Sequence, residues 1–172
     1  PSGYTFRYAH DVIRSGDIPS GFAAVLAGHI HRFQVLTTDL RGRPLAAPVL
    51  YPGSIERTSF AEKDEPKGYI ILEFETPRTS TADLKNWTFH ELPTRPMTQL
   101  DLHAAGMNAA QIQAWIRSSL YDLSPDSIVK LKVHGKISQE AMAVFRAPAL
   151  RALVPQTMNI DAVLVNYVYY RR

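Results

Sequence analysis

Residues 21–36 read GFAAVLAGHIHRFQVL, an unbroken apolar run that ends in two histidines one residue apart. Every side chain from Phe22 to Ala27 is apolar, the pattern of a strand covered on both faces rather than of one with a wet side. In extended backbone, residues i and i+2 point the same way, so His29 and His31 are expected to leave the strand end into one space. Gly28 lets the chain turn there without a side-chain clash. The end of a buried strand in an α/β sheet is also where loops open a crevice for ligands. Two readings stand side by side: a pair of metal-ligating imidazoles, or two loop histidines hydrogen-bonded to backbone.

Composition bounds both. With 172 residues and 45% hydrophobic content, the chain is long enough to bury a core as one domain or two small ones. The net charge of +3 permits a nucleic-acid partner without demanding one. There are no cysteines, which excludes disulfides, zinc fingers and iron–sulfur clusters and leaves any metal to imidazole and oxygen ligands. No apolar stretch is long enough to cross a membrane and nothing in these residues reads as a secretory leader, so the expected compartment is the cytoplasm and no membrane partner is expected. The opening, PSGYTFRYAHDVIRSGDIPSG, starts without methionine and reads as loop, from which we expect a piece of something longer.

Outward from the histidines, the chain divides in two. FQVLTT (33–38) and PVLYPG (48–53) read as short strands around a turn marked by Gly42 and Pro44. Residues 52–68 form a long charged loop. GYIILEFE (68–75) restores a strand, and NWTFHEL (86–92) pairs with it across a polar connection as a hairpin. Pro93 and Pro96 then stiffen LPTRPM (92–97) and mark a boundary, giving domains 1–92 and 93–172. TQLDL (98–102) is a candidate strand. Asn108 is a plausible N-cap for a helix that carries Ile112, Trp115, Ile116 and Leu120 at helical spacing. SIVKLKV (127–133) alternates Val129, Leu131 and Val133 with Lys130 and Lys132. A second helix starts near Ser138, Pro148 suits the first turn of PALRALV, and NIDAVLVNYVYY (159–170) closes as a strand. Alternating strands and helices imply a small α/β module with helices packed on a sheet.

The text around the histidines carries a resemblance. GFAAVLAGHIHRFQVL followed by VLYPGSIERTSFAEKDEPKGY (49–69) closely resembles the C-terminal part of SbcD-like DNA repair exonucleases, within the calcineurin-like metallophosphoesterase superfamily. In that family Gly-His-x-His is the last of five metal-binding motifs, matched here by Gly28, His29, Ile30 and His31. Tyr51 to Ser54, Glu56 to Glu62 and Lys67-Gly68 resemble its next segment. The rest, from ELPTRPMTQLDL onward, looks more loosely like the family's capping domain. The implied fold is α+β: the C-terminal part of a metallophosphoesterase β-sandwich followed by a small α/β cap. The implied chemistry is two-metal phosphodiester hydrolysis with manganese, the ions roughly 3.5–4 Å apart. His29 and His31 would each ligate one ion, as neutral imidazole suits manganese or zinc. The implied partners are DNA and an SMC-like ATPase subunit of the SbcC type, with the parent protein a homodimer.

The departures from the family are as informative. Its earlier motifs, an Asp-x-His, a Gly-Asp-x-x-Asp, a Gly-Asn-His-Glu/Asp and a further histidine, are absent. Gly16-Asp17 imitates the second, but Ser20 stands where its second aspartate belongs, and His10 lies too near the last motif to serve as the fourth. The chain is therefore expected to be a C-terminal portion of the nuclease that cleaves nothing by itself. Two alternatives remain: a DNA- or partner-binding cap module without catalysis, and part of a metallophosphoesterase acting on nucleotides or phosphoproteins.

Five further residues are candidates for nucleic-acid contact, each with a plainer reading beside it. Arg32 meets a phosphate or faces solvent. Ser54 and Arg57 sit in the motif-like loop, where Ser54 donates to a phosphate or metal-bound water, or else Glu56 simply pairs with Arg57 or Lys63. Lys130 and Lys132, with His134 and Lys136, form a basic edge that tracks a DNA backbone or protects a strand edge. EKDEPK (62–67) reads as a solvated charge run. Tyr167, Tyr169 and Tyr170 beside Arg171 and Arg172 stack on bases or pack in a hairpin.

Overall fold

The apolar patterning resolves into strands and short helices in a computed structural model that describes residues 14–75 and 83–165. The chain forms two units, Pro1–Thr94 and Arg95–Arg172. Among the described residues they make an α+β arrangement of three small sheets and few helices. His10, the polar stretch 76–82 and the terminal tyrosines and arginines lie outside the described residues.

In the first unit, β1 (Val25–Leu26), β2 (Gln34–Thr38) and β3 (Pro44–Tyr51) form a sheet in the order β1-β3-β2, with β1 parallel and β2 antiparallel to β3. The turn between β2 and β3 is built by Asp39. Its Oδ1 accepts the amides of Arg41 and Arg43 at 2.9 Å each, and Oδ2 meets the Arg43 guanidinium at 2.7 Å. Those contacts from Arg43 hold the Asp39 carboxyl below the usual carboxylate range. The second sheet is the expected hairpin, β4 (Gly68–Glu75) against β5 (Asp83–Glu91), paired from Gly68↔Glu91 to Glu75↔Asp83 with a register shift after Glu73. Phe33, just before β2, stacks on Phe89 at 4.3 Å and lies 5.6 Å from Trp87, tying the two sheets together.

Two expectations for this unit change. The apolar run from Phe22 pairs only at Val25 and Leu26, and it is not covered on both faces: Phe22 is 55% exposed and Leu26 61%. Among the described residues β1 is the end strand of its sheet, with β3 as its neighbour. Nor do these strands make a metallophosphoesterase sandwich. Among the described residues they form one three-stranded and one two-stranded sheet, whose buried apolar side chains are Ala47 and Leu50.

The second unit packs as its pattern implies. β6 (Met97–His103), β7 (Ile128–His134) and β8 (Asn159–Val165) are parallel, in the order β6-β7-β8. The β6–β7 crossover carries α1 (Ala109–Leu120), and the β7–β8 crossover carries α2 (Gln139–Met142) and α3 (Ala147–Arg151). α1 starts where Asn108 and Gln111 cap each other's backbone amides at 2.9 Å, and α2 where the Ser138 hydroxyl accepts the Ala141 amide. Ile112, Ile116 and Leu120 of α1 share one core with Leu102, Val129, Leu131, Val133 and Leu150. Each such side chain contributes roughly 1.5–3 kcal/mol by leaving water.

With the helices on one face, the other face of this sheet carries Gln99, Asp101 and His103 of β6, Lys130, Lys132 and His134 of β7, and Asp161 and Val163 of β8. The lysines are therefore not at an edge. β7 is the middle strand because both crossovers return to lie beside it. No helix among the described residues is long and apolar enough to cross a membrane.

Candidate functional site

β1 ends at Leu26, and the last ladder contact beyond it runs from the Ala27 amide to the Leu50 carbonyl at 3.0 Å. Residues 27–33 then bend across to β2, and both histidines lie in that bend rather than on extended strand. The same-side geometry expected of an i, i+2 pair therefore does not apply. His29 is exposed, whereas His31 is held at both its backbone and its ring.

The backbone anchor comes from the loop after β3. Gly53 adopts φ +80°, and a Cβ there would stand 2.8 Å from the His31 carbonyl oxygen and 2.9 Å from the Phe33 nitrogen. Only glycine fits that approach. It places the Ser54 amide 3.0 Å from the His31 carbonyl oxygen, to which it donates. The Ser54 hydroxyl donates to the Glu56 carbonyl at 2.7 Å, turning its proton into the loop.

A second donor to the same carbonyl is Lys67, whose side chain has 0% exposure. Its Nζ donates to the His31 carbonyl oxygen at 2.9 Å, to Glu62 Oε2 at 2.8 Å and to Glu65 Oε2 at 3.2 Å. An ammonium group has three protons, and all three find acceptors, which is the condition for keeping such a charge out of water. EKDEPK is thus not simply a solvated run: Glu62 and Glu65 turn inward to Lys67, while Lys63 pairs with exposed Asp64 at 2.6 Å.

The ring of His31 meets the same carboxylate. Its Nδ1 lies 3.0 Å from Thr58 Oγ1 and 3.3 Å from Glu62 Oε1, and the Thr58 hydroxyl donates to Glu62 Oε1 at 2.8 Å. The Thr58 amide adds a bond to Oε2 at 3.1 Å. The hydrogen bond from Lys67 pulls the Glu62 carboxyl down to about 2, helped by Thr58 and His31 and opposed by desolvation. At neutral pH Glu62 is an acceptor only.

The remaining candidates are scattered around this network or lie in the other unit. Arg32 is exposed. Arg57 is half-buried, its amide bound to Glu56 Oε1 at 2.8 Å and its Nε to the Glu65 carbonyl at 3.3 Å. In the second unit, Lys130 is in register with Gln99 and Asp161, and Lys132 with Asp101 and Val163. His134 Nε2 bonds Asp101 Oδ1 at 2.9 Å, and its ring stacks on His103 at 5.0 Å. That hydrogen bond, with one from Gln99, lowers the Asp101 carboxyl from its ordinary value.

Among the described residues, no group of three or more histidine, aspartate or glutamate side chains is arranged to hold a metal ion. The chain's own donors fit a cation in part: His31 keeps one ring nitrogen outside the network, and His29 is accessible. Lys67 and Glu62 hold this network together, yet the sequence placed them only within segments that carry the resemblance and did not single them out as site residues. The signal was there in a lysine directly preceding a strand and following two glutamates, but nothing local distinguishes it from a surface run. No family model matches the chain.

Proposed function

We propose that the chain belongs to the C-terminal part of a two-metal, manganese-dependent DNA nuclease of the SbcD-like kind. In this reading it hydrolyses phosphodiesters in double-strand-break repair, in the cytoplasm, with an SMC-like ATPase of the SbcC type. One observation carries it. Ser54, Thr58, Glu62 and Lys67, all from the YPGSIERTSFAEKDEPKG segment, converge on His31 of the Gly-His-x-His segment. Two stretches matched separately by resemblance thus build one arrangement, in which a buried lysine and a carboxylate fix the backbone and the ring of a single histidine. Such outer support is what a ligating imidazole requires.

His29 and His31 would each offer an imidazole to one of the two cations, with the other ligands supplied by polypeptide outside the described residues. Bound there, divalent cations supply charge stabilisation at phosphate oxygens and a water of lowered pKa. Ser54 holds the loop against His31 in this arrangement, and exposed Arg32 is the nearest arginine in sequence for a phosphate. In the second unit, the proposed cap, Lys130 and Lys132 contribute sequence-independent phosphate contacts, moderated by Asp101 and Asp161 on the same face. The chain alone does not cleave DNA.

A second reading, a binding module without catalysis, draws on the second unit's own continuous core. The two are separated by a manganese titration followed through the imidazole resonances. The nuclease reading expects paramagnetic broadening of His29 and His31 ahead of His90, His103 and His134, with the effect at His29 weakened in His31→Ala. Uniform broadening of all the histidines sinks it.

A further inference from the structure

The network around His31 leaves little freedom in where its protons lie. Glu62 Oε2 already accepts from the buried Lys67 ammonium at 2.8 Å and from the Thr58 amide at 3.1 Å, so on the side facing His31 the carboxylate acts as an acceptor. Thr58 has one hydroxyl proton, and the 2.8 Å separation of Thr58 Oγ1 from Glu62 Oε1 requires that proton between them. Thr58 then has no proton left for the imidazole. His31 Nδ1, 3.0 Å from Thr58 Oγ1 and 3.3 Å from Glu62 Oε1, must bring its own. A bare Nδ1 would face a carboxylate oxygen and a hydroxyl oxygen with lone pairs on every side.

We infer that Glu62 is a positioning residue for His31: directly and through Thr58 it keeps the imidazole proton on Nδ1 and leaves Nε2 as the lone-pair nitrogen. Lys67 stands behind it, because its Nζ bridges Glu62 Oε2 and the His31 carbonyl oxygen and so locks the carboxylate to the backbone of the residue it orients. The His31 side chain is 48% exposed, which leaves its outer part open to a ligand. The choice of nitrogen matters because a neutral imidazole presents one lone pair, and the partner of the other nitrogen decides which. An Nε2 donor is offered at the end of the ring away from the network, where a divalent cation or a proton in transfer is reached without breaking a bond. This deepens the proposed function and rests on its assignment of His31 to a cation.

The test reads the tautomer without any metal. The full 172-residue chain is labelled with 15N-histidine, and long-range proton–nitrogen correlations are recorded at a pH where the imidazoles are neutral, His31 being assigned by its loss in His31→Gln. The expected result is a protonated Nδ1 and a bare Nε2 at His31, while exposed His29 shows the Nε2–H form usual in water. In Glu62→Gln the side-chain amide can present either oxygen or NH2, so the Nδ1–H population falls severalfold while the backbone amide spectrum keeps its wild-type pattern. An Nε2–H majority at His31 in the wild type overturns the inference, and that result needs no variant to fold. An unaltered Nδ1–H population in Glu62→Gln overturns the role of Glu62. Either failure leaves the manganese-broadening result standing, and uniform broadening by manganese leaves the tautomer result standing, so the two readings fail separately.

Discussion

The second unit buries thirteen apolar side chains in one cluster, whereas the first buries two, Ala47 and Leu50, among its described residues. What the first unit buries instead is a charge: Lys67, enclosed by Glu62, Glu65 and the His31 carbonyl. The second unit is held by area removed from water, which is non-directional and tolerant of detail. The site loop of the first is held by a few bonds that must all be made at once, since a buried ion missing one partner costs more than the bond it lost. The contrast extends to the surface, where Phe22, Leu26, Leu40 and Ile55 of the first unit are more than half exposed, against Tyr121 in the second. Precision around one histidine comes from polar contacts rather than from a core.

The largest effect that can break this comparison is in the second unit. Leu131, 0% exposed in the middle strand, is expected to lose about 2–5 kcal/mol on substitution by alanine, read from urea denaturation. Leu40→Ala, at a fully exposed turn position of the first unit, is expected to stay within about 0.5 kcal/mol. Equal losses would erase the distinction. Next in size is Lys67→Met, which keeps the length of the side chain and removes its charge. It is expected to cost on the order of 3 kcal/mol, since Glu62 and Glu65 would face each other without the cation. The loss should be read locally, as faster amide exchange across residues 52–68 with α1 unaffected. Unchanged protection in that loop would mean that the polar network is not what holds it.

The smallest effect sharpens the second unit's side of the comparison. The Asp101 carboxyl is held below its ordinary value by His134 and Gln99, with Lys132 nearby. Its contribution is therefore fully present above the pH at which an unfolded aspartate ionises, about 3.9, and is lost as pH falls through the lower folded value. Urea midpoints measured from pH 6 down to pH 2 should show a small acid-side decline that is flatter in Asp101→Asn. Parallel curves for the two proteins would show that this open-face pair contributes nothing, leaving burial alone to account for the unit.

Much of the second unit was legible because its signals are local. Asn108 with Gln111, Ser138 before α2, the alternation of Val129, Leu131 and Val133, and the helical spacing of Ile112, Ile116 and Leu120 each act within a turn or two of chain. The hairpin of β4 and β5 was legible for the same reason. The extent of β1 was not. A run of apolar residues records that burial is possible, but only the neighbouring strands decide how much occurs, and β3 pairs with just Val25 and Leu26. The lysine stripe met the same limit: alternation placed Lys130 and Lys132 on one face, but the strand order made that face central.

The sequence by itself determined where helices start, which residues alternate on each strand, and that two histidines follow an apolar run. It also determined that none of these residues can offer a thiolate to a metal, since there is no cysteine. Only the tertiary structure decided that Lys67, thirty-six residues from His31, is buried against its carbonyl, and that Glu62 reaches its ring from thirty-one residues away. Capping and periodicity are short-range consequences of backbone geometry and can be read along the chain. The partner of a buried charge is set by which loops meet in space, and identical lysines and glutamates in a row serve equally well as a solvated face or as the frame of a site.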